Sequence, residues 1–281
     1  MTETTLTPLG RRPIMMMISL PLVVGGIIIA FWLMATLFAP FMTSFDPLEM
    51  VGRRLQPPSW DHWLGTDALG RDVFARTLYG ARHSIPIAVI VVAIAVFIGS
   101  ALGALSGFVG GLPGAGIMRL VDITLSFPPM LLAMAVAASL GPGLENAAVA
   151  MVIVWWPIYA RLMRAQVLEV REREHVEAAV AAGATPARVL SKHILPLCWT
   201  PVLISATMDL GQVILLAASL SFIGLGAKPP APEWGSMISD GASQFYSWWV
   251  ALGPGVAILT VVLGFNFIGD GLRDYFDPRS Q

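Results

Sequence analysis

The 281-residue chain is 56% hydrophobic and only 12% charged, with a mean hydropathy of +0.73. Soluble domains carry about 25% charged residues, so an ordinary water-solvated globule is excluded and lipid becomes the expected solvent. A formal net charge of -1 and a pI near 6.4 likewise speak against a nucleic-acid-binding surface.

A helix needs about 20 apolar residues to cross the hydrocarbon core. Six stretches meet or approach that length, near residues 14–40, 84–109, 117–140, 146–163, 200–226 and 249–269. The first follows Arg11 and Arg12 and continues uncharged from 13 to 45. A secretory h-region spans about 7–15 residues, so an uncleaved membrane helix is expected here.

Between the first two spans lies a mixed-charge segment, 46–83. Within it Leu69, Val73, Phe74 and Leu78 fall along one side, and Asp67–Arg71 and Asp72–Arg76 stand acid before base at i,i+4. The pattern predicts an amphipathic helix on the membrane surface leading into the second span, with a solvated connector as the alternative. The second span carries Gly99, Gly103, Gly107 and Gly111, every fourth residue. That stripe reads as a helix-packing seam rather than a substrate groove. Gly110 to Gly116 then mark a tight turn. Pro128–Pro129 and Pro157 are expected to kink their spans, and Asp122 to cap or flank the start of the third.

Loop charges set the orientation. With both termini inside, eleven of the seventeen Lys and Arg are cytoplasmic, namely Arg11, Arg12, Arg119, Arg161, Arg164, Arg171, Arg173, Arg188, Lys192, Arg273 and Arg279. Outside, Arg53, Arg54, Arg71, Arg76 and Arg82 are balanced by Asp46, Glu49, Asp61, Asp67 and Asp72, with Lys228 beyond them. The domain reading is therefore 1–45, cytoplasmic N-terminus and first span; 46–83, outer segment; 84–270, a five-helix core; and 271–281, a cytoplasmic tail.

That core contains a strongly charged stretch, 164–196, which must sit in water. In it Glu177-Ala178-Ala179 precedes Gly183, and Leu195-Pro196 follows. Small alanine side chains let another protein approach the backbone, and Gly183 can end a helix in the left-handed conformation. Pro196 is expected to stop the next helix before the fifth span. Helix, glycine break, helix makes a lever, though an alanine-rich loop has the same pattern.

In the fifth span Asp209 costs about 2.5–3.5 kcal/mol at a helix centre, so it should face protein or water. It lines a translocation path, with Gln212 one turn on, or it bonds a neighbouring helix; the pattern leaves both open. The nine tryptophans mostly fit an interfacial belt, with Trp234 a candidate for contact with an outside protein. Cys198 alone cannot build a disulfide framework and reads as a buried or cytoplasmic thiol. No H-E-x-x-H, G-x-S-x-G or P-loop motif is present, and His62, His83, His175 and His193 are scattered. No site for a metal or a nucleotide is expected, so any energy source is borrowed.

The spacing of Glu177-Ala178-Ala179, Gly183 and Leu195-Pro196 resembles the signature loop of membrane-spanning subunits of bacterial ABC importers with the type I fold. His193 stands in the usual isoleucine slot. HWLGTDALGRDVFARTLYGAR (62–82), WPIYARLMRAQVLEV (156–170), LSFIGLGAKPPAPEWGSMIS (220–239) and FNFIGDGLRDYFDPR (265–279) are similar to the dipeptide/oligopeptide/nickel branch, "C"-type subunit. The resemblance implies an all-α, six-span permease of the cell inner membrane, without enzyme activity of its own. It implies a second homologous permease, two ATPase subunits carrying ATP and magnesium, and an extracytoplasmic solute-binding protein. Glu177 to Gly183 would enter an ATPase cleft. The implied cargo is di- or oligopeptides, or else nickel or a metal chelate. A membrane-embedded enzyme and a self-sufficient ion-coupled carrier are the readings from other classes.

Overall fold

The computed structural model describes residues 19–276; Arg11, Arg12, Arg279 and the start of the expected first span lie outside the described residues. Within them the chain is helical, with an isolated antiparallel bridge between Thr66 and Asp72. In chain order the helices are α1 (Leu20–Leu37), α2 (Ala39–Met42), α3 (Val73–Val109), α4 (Gly111–Leu125), α5 (Pro129–Leu140) and α6 (Leu144–Val170). There follow α7 (Glu174–Ala181), α8 (Pro186–Arg188), a π-helical turn (Val189–Ile194), α9 (Leu195–Phe222), α10 (Trp234–Ala242) and α11 (Trp249–Phe276). Phe31, Phe97, Leu131 and Leu259 stand exposed on the outside of the bundle, an apolar surface that lipid or another protein would cover.

Five runs are long and apolar enough to cross a bilayer: α1, α3, α6, Pro186–Phe222 and α11. The expected third span is instead broken, because α4 and α5 meet at 91°. Two consecutive prolines explain so sharp a bend. A residue before proline is driven out of the α region, and Pro128 is held extended at φ -58°, ψ 128° by Pro129. At about 1.5 Å per residue neither piece alone covers a 30 Å core. The fourth span runs on to Val170, well past the expected end at Met163, and passes through Pro157 as one helix.

Glycine seams hold the bundle together. A Cβ on Gly99 would fall on the carbonyl oxygen of Trp156, one on Gly103 on that of Ala160, and one on Gly107 would lie 3.0 Å from Val167 Cγ1. These three line the contact of α3 with α6, the most extensive helix pair among the described residues; the sequence pattern names no partner helix. Gly111 is a correction: at φ +57°, with only Pro113 Cδ near, it lies outside the seam and opens α4. The expected 110–116 turn shrinks to the left-handed pair Gly110–Gly111 for the same reason. A second seam went unread in the sequence. A Cβ on Gly25 of α1 would sit 2.6 Å from the Gly264 oxygen of α11, and one on Gly271 would sit 2.5 Å from Leu22 Cβ.

The segment before α3 differs from its expectation. No helix starts at Thr66, because Asp67 accepts hydrogen bonds from the backbone N–H groups of Leu69 and Arg71, and Gly70 is left-handed at φ +80°. Such side-chain bonds compete with helix formation. Asp67 does pair with Arg71 at 2.7 Å, but in a buried turn, and it also lies 3.4 Å from Arg76 Nε. Asp72 does not pair with Arg76. It caps α3 by accepting from Ala75 N at 2.7 Å, and its other oxygen lies 2.9 Å from His62 Nδ1. Arg76 donates to the carbonyl oxygens of Pro47 and Pro230, which ties two loops to the start of α3 as one pad.

Trp234 corrects a further expectation. It is fully buried, its indole N–H donates to the Thr77 carbonyl at 2.9 Å, and its ring meets Trp32 edge-on at 5.2 Å. No outside protein reaches it. Trp60, Trp63 and Trp248 are exposed as the belt reading requires. Asp122 lies well inside α4 and forms an exposed ion pair of 2.7 Å with Arg161 of α6, so it caps nothing.

Candidate coupling site

The charged stretch hangs between α6 and α9 at the end of α3 remote from the pad. Thirty-seven helical residues separate the two regions, about 55 Å at 1.5 Å per residue. They therefore lie on opposite faces of any bilayer that α3 crosses. At the root, Arg171 donates to the Gly107 carbonyl at 3.1 Å. This bond satisfies a carbonyl in the last turn of α3 and fixes the point where α6 gives way to the projecting segment.

From there the sequence builds one short helix with two faces. Val176 of α7 is buried, and beside it Phe108, Val109, Val180, Ala184, Val189 and Ile194 line a hollow. The other face of α7 is solvent-exposed and carries Glu177, Ala178, Ala181, Ala182 and Gly183, with Ala179 half-buried. Helix α7 ends as a glycine-terminated helix should: Gly183 has φ +81°, its N–H bonds Val180 O at 2.9 Å, and Ala184 N–H bonds Ala179 O at 3.1 Å. That is the Schellman arrangement. His175 Nε2 lies 3.3 Å from the His193 carbonyl, tying α7 to the π turn.

The segment that returns from Gly183 to α9 is not a separate helix. Pro186 starts a helical run that continues unbroken to Phe222, so Pro196 does not stop a helix before the fifth span. A proline inside a helix clashes with the carbonyl four residues back, and widening the turn relieves it. The turn before it is π-helical, with Leu195 N–H bonded to Leu190 O. Leu195 packs half-buried against the core, and Pro196 is exposed. The segment is thus continuous with α9, and motion of one must be carried by the other.

Inside the bundle Asp209 lies midway along α9, half-buried, and accepts a hydrogen bond of 2.6 Å from the Tyr159 hydroxyl of α6. Of the two readings left open by the sequence, a bond to a neighbouring helix is present. Gln212, one turn on, is exposed and makes no part of this contact. Tyr159 was missed by sequence reasoning, although it is the single tyrosine of α6 and a phenol in an apolar span needs a partner. Cys198 is fully buried with its thiol toward Ile194 O. Among the described residues no cluster of His, Cys, Asp or Glu is placed to hold a metal.

Comparison with known proteins agrees with this architecture. Residues 95–281 match the family described as binding-protein-dependent transport system inner membrane component. The chain is 45% identical over 274 residues to the probable D,D-dipeptide transport system permease protein DdpC of Escherichia coli K12, covering 96% of this chain and 92% of that protein. It is 46% identical over 261 residues to the dipeptide transport system permease protein DppC of Alkalihalophilus pseudofirmus, covering 92% and 86%. To the di/tripeptide transport system permease protein DppC of Pseudomonas aeruginosa it is 44% identical over 251 residues, covering 86% and 83%. Among solved structures, a chain of the inward-facing MetNI methionine ABC transporter superposes with a TM-score of 0.60, at 21% identity, covering 72% of this chain and 97% of that one. At that identity the likeness establishes the type I importer fold alone.

Proposed function

Because the chain belongs to the family of binding-protein-dependent transport system inner membrane components, we propose that it forms, with a second homologous permease, the path by which di- and oligopeptides cross the inner membrane. It is a transport component rather than an enzyme, and its family works with an ATPase and a solute-binding protein. The peptide assignment rests on the names of its relatives, which specify dipeptides or di/tripeptides; nickel and metal chelates are not favoured. ATP and magnesium belong to the two partner ATPases in this reading.

One observation carries the mechanism: an exposed helix with small side chains, α7, is suspended between two membrane-crossing helices. Glu177, Ala178, Ala179 and Gly183 enter a cleft on one ATPase, while Leu195 and Pro196 join the contact surface to α9. Closure of the ATPases around ATP moves α7, and α6 and α9 follow. The two states of the ATPase must bind α7 with different affinity, or nothing shifts. Both termini and α7 lie in the cytoplasm, and the pad formed by 46–72 faces the binding protein. Asp209 and Gln212 stand beside the path.

Reconstitution of both permeases with the ATPases and binding protein tests this reading. ATP-dependent uptake of a labelled dipeptide is expected, with nickel untransported; uptake without the ATPases would overturn it. The buried Cys198 leaves a low background for single-cysteine labelling. A membrane-impermeant maleimide should reach Asp61→Cys from outside and Arg171→Cys only from the cytoplasm.

A further inference from the structure

Tyr159 and Asp209 stand on α6 and α9, the two helices from which the projecting segment hangs. Tyr159 lies about 16 Å of helix before the end of α6 at Val170, and Asp209 about 21 Å after the start of α9 at Leu195. The two arms pack on each other and on α3; beyond that packing they are joined at one end by the segment and again within the membrane by one hydrogen bond.

That bond is held from behind. Gly99 of α3 has no side chain where Tyr159 passes; a Cβ there would lie 2.7 Å from Tyr159 Cβ. The fully buried tyrosine is therefore wedged between α3 and α9, with its hydroxyl 2.6 Å from Asp209 Oδ2. Among the described residues, no Lys or Arg forms an ion pair with Asp209. The Trp155 indole N–H, one turn earlier on α6, is buried without a hydrogen-bond partner among the described residues. Tyr159 is fully buried and Asp209 half-buried, so breaking the bond orphans the phenol hydroxyl.

Two arms held within the membrane by non-directional packing alone could slide or splay when α7 is pulled. With a crossbar they form a closed frame, which resists shear. We propose that the Tyr159–Asp209 bond is this crossbar: it makes α6 and α9 move as one body, so that displacement of α7 reaches the transport path instead of separating the arms. Tyr159 and Asp209 are then positioning residues, and the requirement at 209 is for a hydrogen-bond acceptor rather than a charge. The inference rests on the reading of α7 as the ATPase contact.

Two spin-label pairs in the reconstituted transporter separate the possibilities. Glu145→Cys with Phe222→Cys reads the distance between the far ends of the two arms, and Leu37→Cys with Glu145→Cys reads arm against α1. On trapping with ATP and vanadate, the arm-to-α1 distance should change in the otherwise native chain while the arm-to-arm distance holds. In Tyr159→Phe and in Asp209→Leu the arm-to-arm distance should shift or broaden by roughly 2 Å. Asp209→Asn should behave like the native chain, because its amide oxygen still accepts the tyrosine proton. An unchanged arm-to-arm distance in Tyr159→Phe overturns the crossbar, as does Asp209→Asn behaving like Asp209→Leu. An arm-to-α1 distance that ignores ATP in the native chain removes the α7 reading itself, and the crossbar with it.

Discussion

Arg71 Nε lies 2.7 Å from Asp67 Oδ2 with both side chains more than nine-tenths covered, and Arg76 Nε lies 3.4 Å from the same oxygen. One carboxylate thus serves two buried guanidinium groups at the root of α3, and Asp240 acts on them as a second, more distant anion. An exposed i,i+4 pair on a helix is worth a few tenths of a kcal/mol; this one is different in kind. Asp67→Ala removes the carboxylate in contact with both buried cations and leaves only the more distant Asp240, so it should destabilise the chain by about 3–5 kcal/mol. Arg71→Met, which keeps the Asp67–Arg76 pair, should cost less. Thermal unfolding of the detergent-purified permease pair checks the order, and equal losses would show that Asp67 does not serve both arginines.

Gly103 faces the Ala160 carbonyl so closely that a methyl group would fall on it. Backbone cannot yield as a flexible side chain can, so α3 and α6 must part. Gly103→Val should lower stability by at least about 1–3 kcal/mol and reduce the yield of monodisperse protein. Gly26 of α1 has nothing within 4 Å of its would-be Cβ. Gly26→Ala should be neutral or stabilising by up to about 1 kcal/mol, since alanine is the better helix former. Size-exclusion profiles of the two variants decide the matter.

At Gly183 the surroundings are open and only the backbone objects, φ being +81°. A left-handed residue with a Cβ costs about 1–2 kcal/mol, less for asparagine. Uptake per ATP hydrolysed should therefore fall in the order Gly, Asn, Ala, Val, while membrane abundance stays constant because the residue is exposed. Abundance falling in step with uptake would mean that Gly183 serves folding instead of coupling.

Trp234 fills the junction of α1, α3 and α10, against Trp32 and bonded to Thr77 O. Trp234→Ala should cost about 3–5 kcal/mol as a core deletion. Trp234→Phe, which keeps the ring contact and loses only the N–H, should cost about 1–2 kcal/mol. Iodide quenching in detergent offers a second check, because the indole should be inaccessible. A quenchable Trp234 would restore it as a surface for an outside protein.

Much of this was written in the local sequence. Hydropathy windows marked the apolar stretches, the four-residue spacing of Gly99, Gly103 and Gly107 marked a seam, and Gly183 marked a helix end. Each is a property of neighbours along one helix. Which helix meets the seam, which tyrosine meets Asp209 and how deeply Asp67 and Trp234 are covered depend on residues far apart in the chain. No periodicity encodes such partners, because a hydrogen bond or an ion pair is fixed by position in space. The break at Pro128 and the passage through Pro196 separate for the same reason. Where two prolines follow in succession, the second bars the α region to the first, which has no N–H of its own to bond. A lone proline leaves the backbone free to widen a turn and continue, and neighbouring helices decide whether it does.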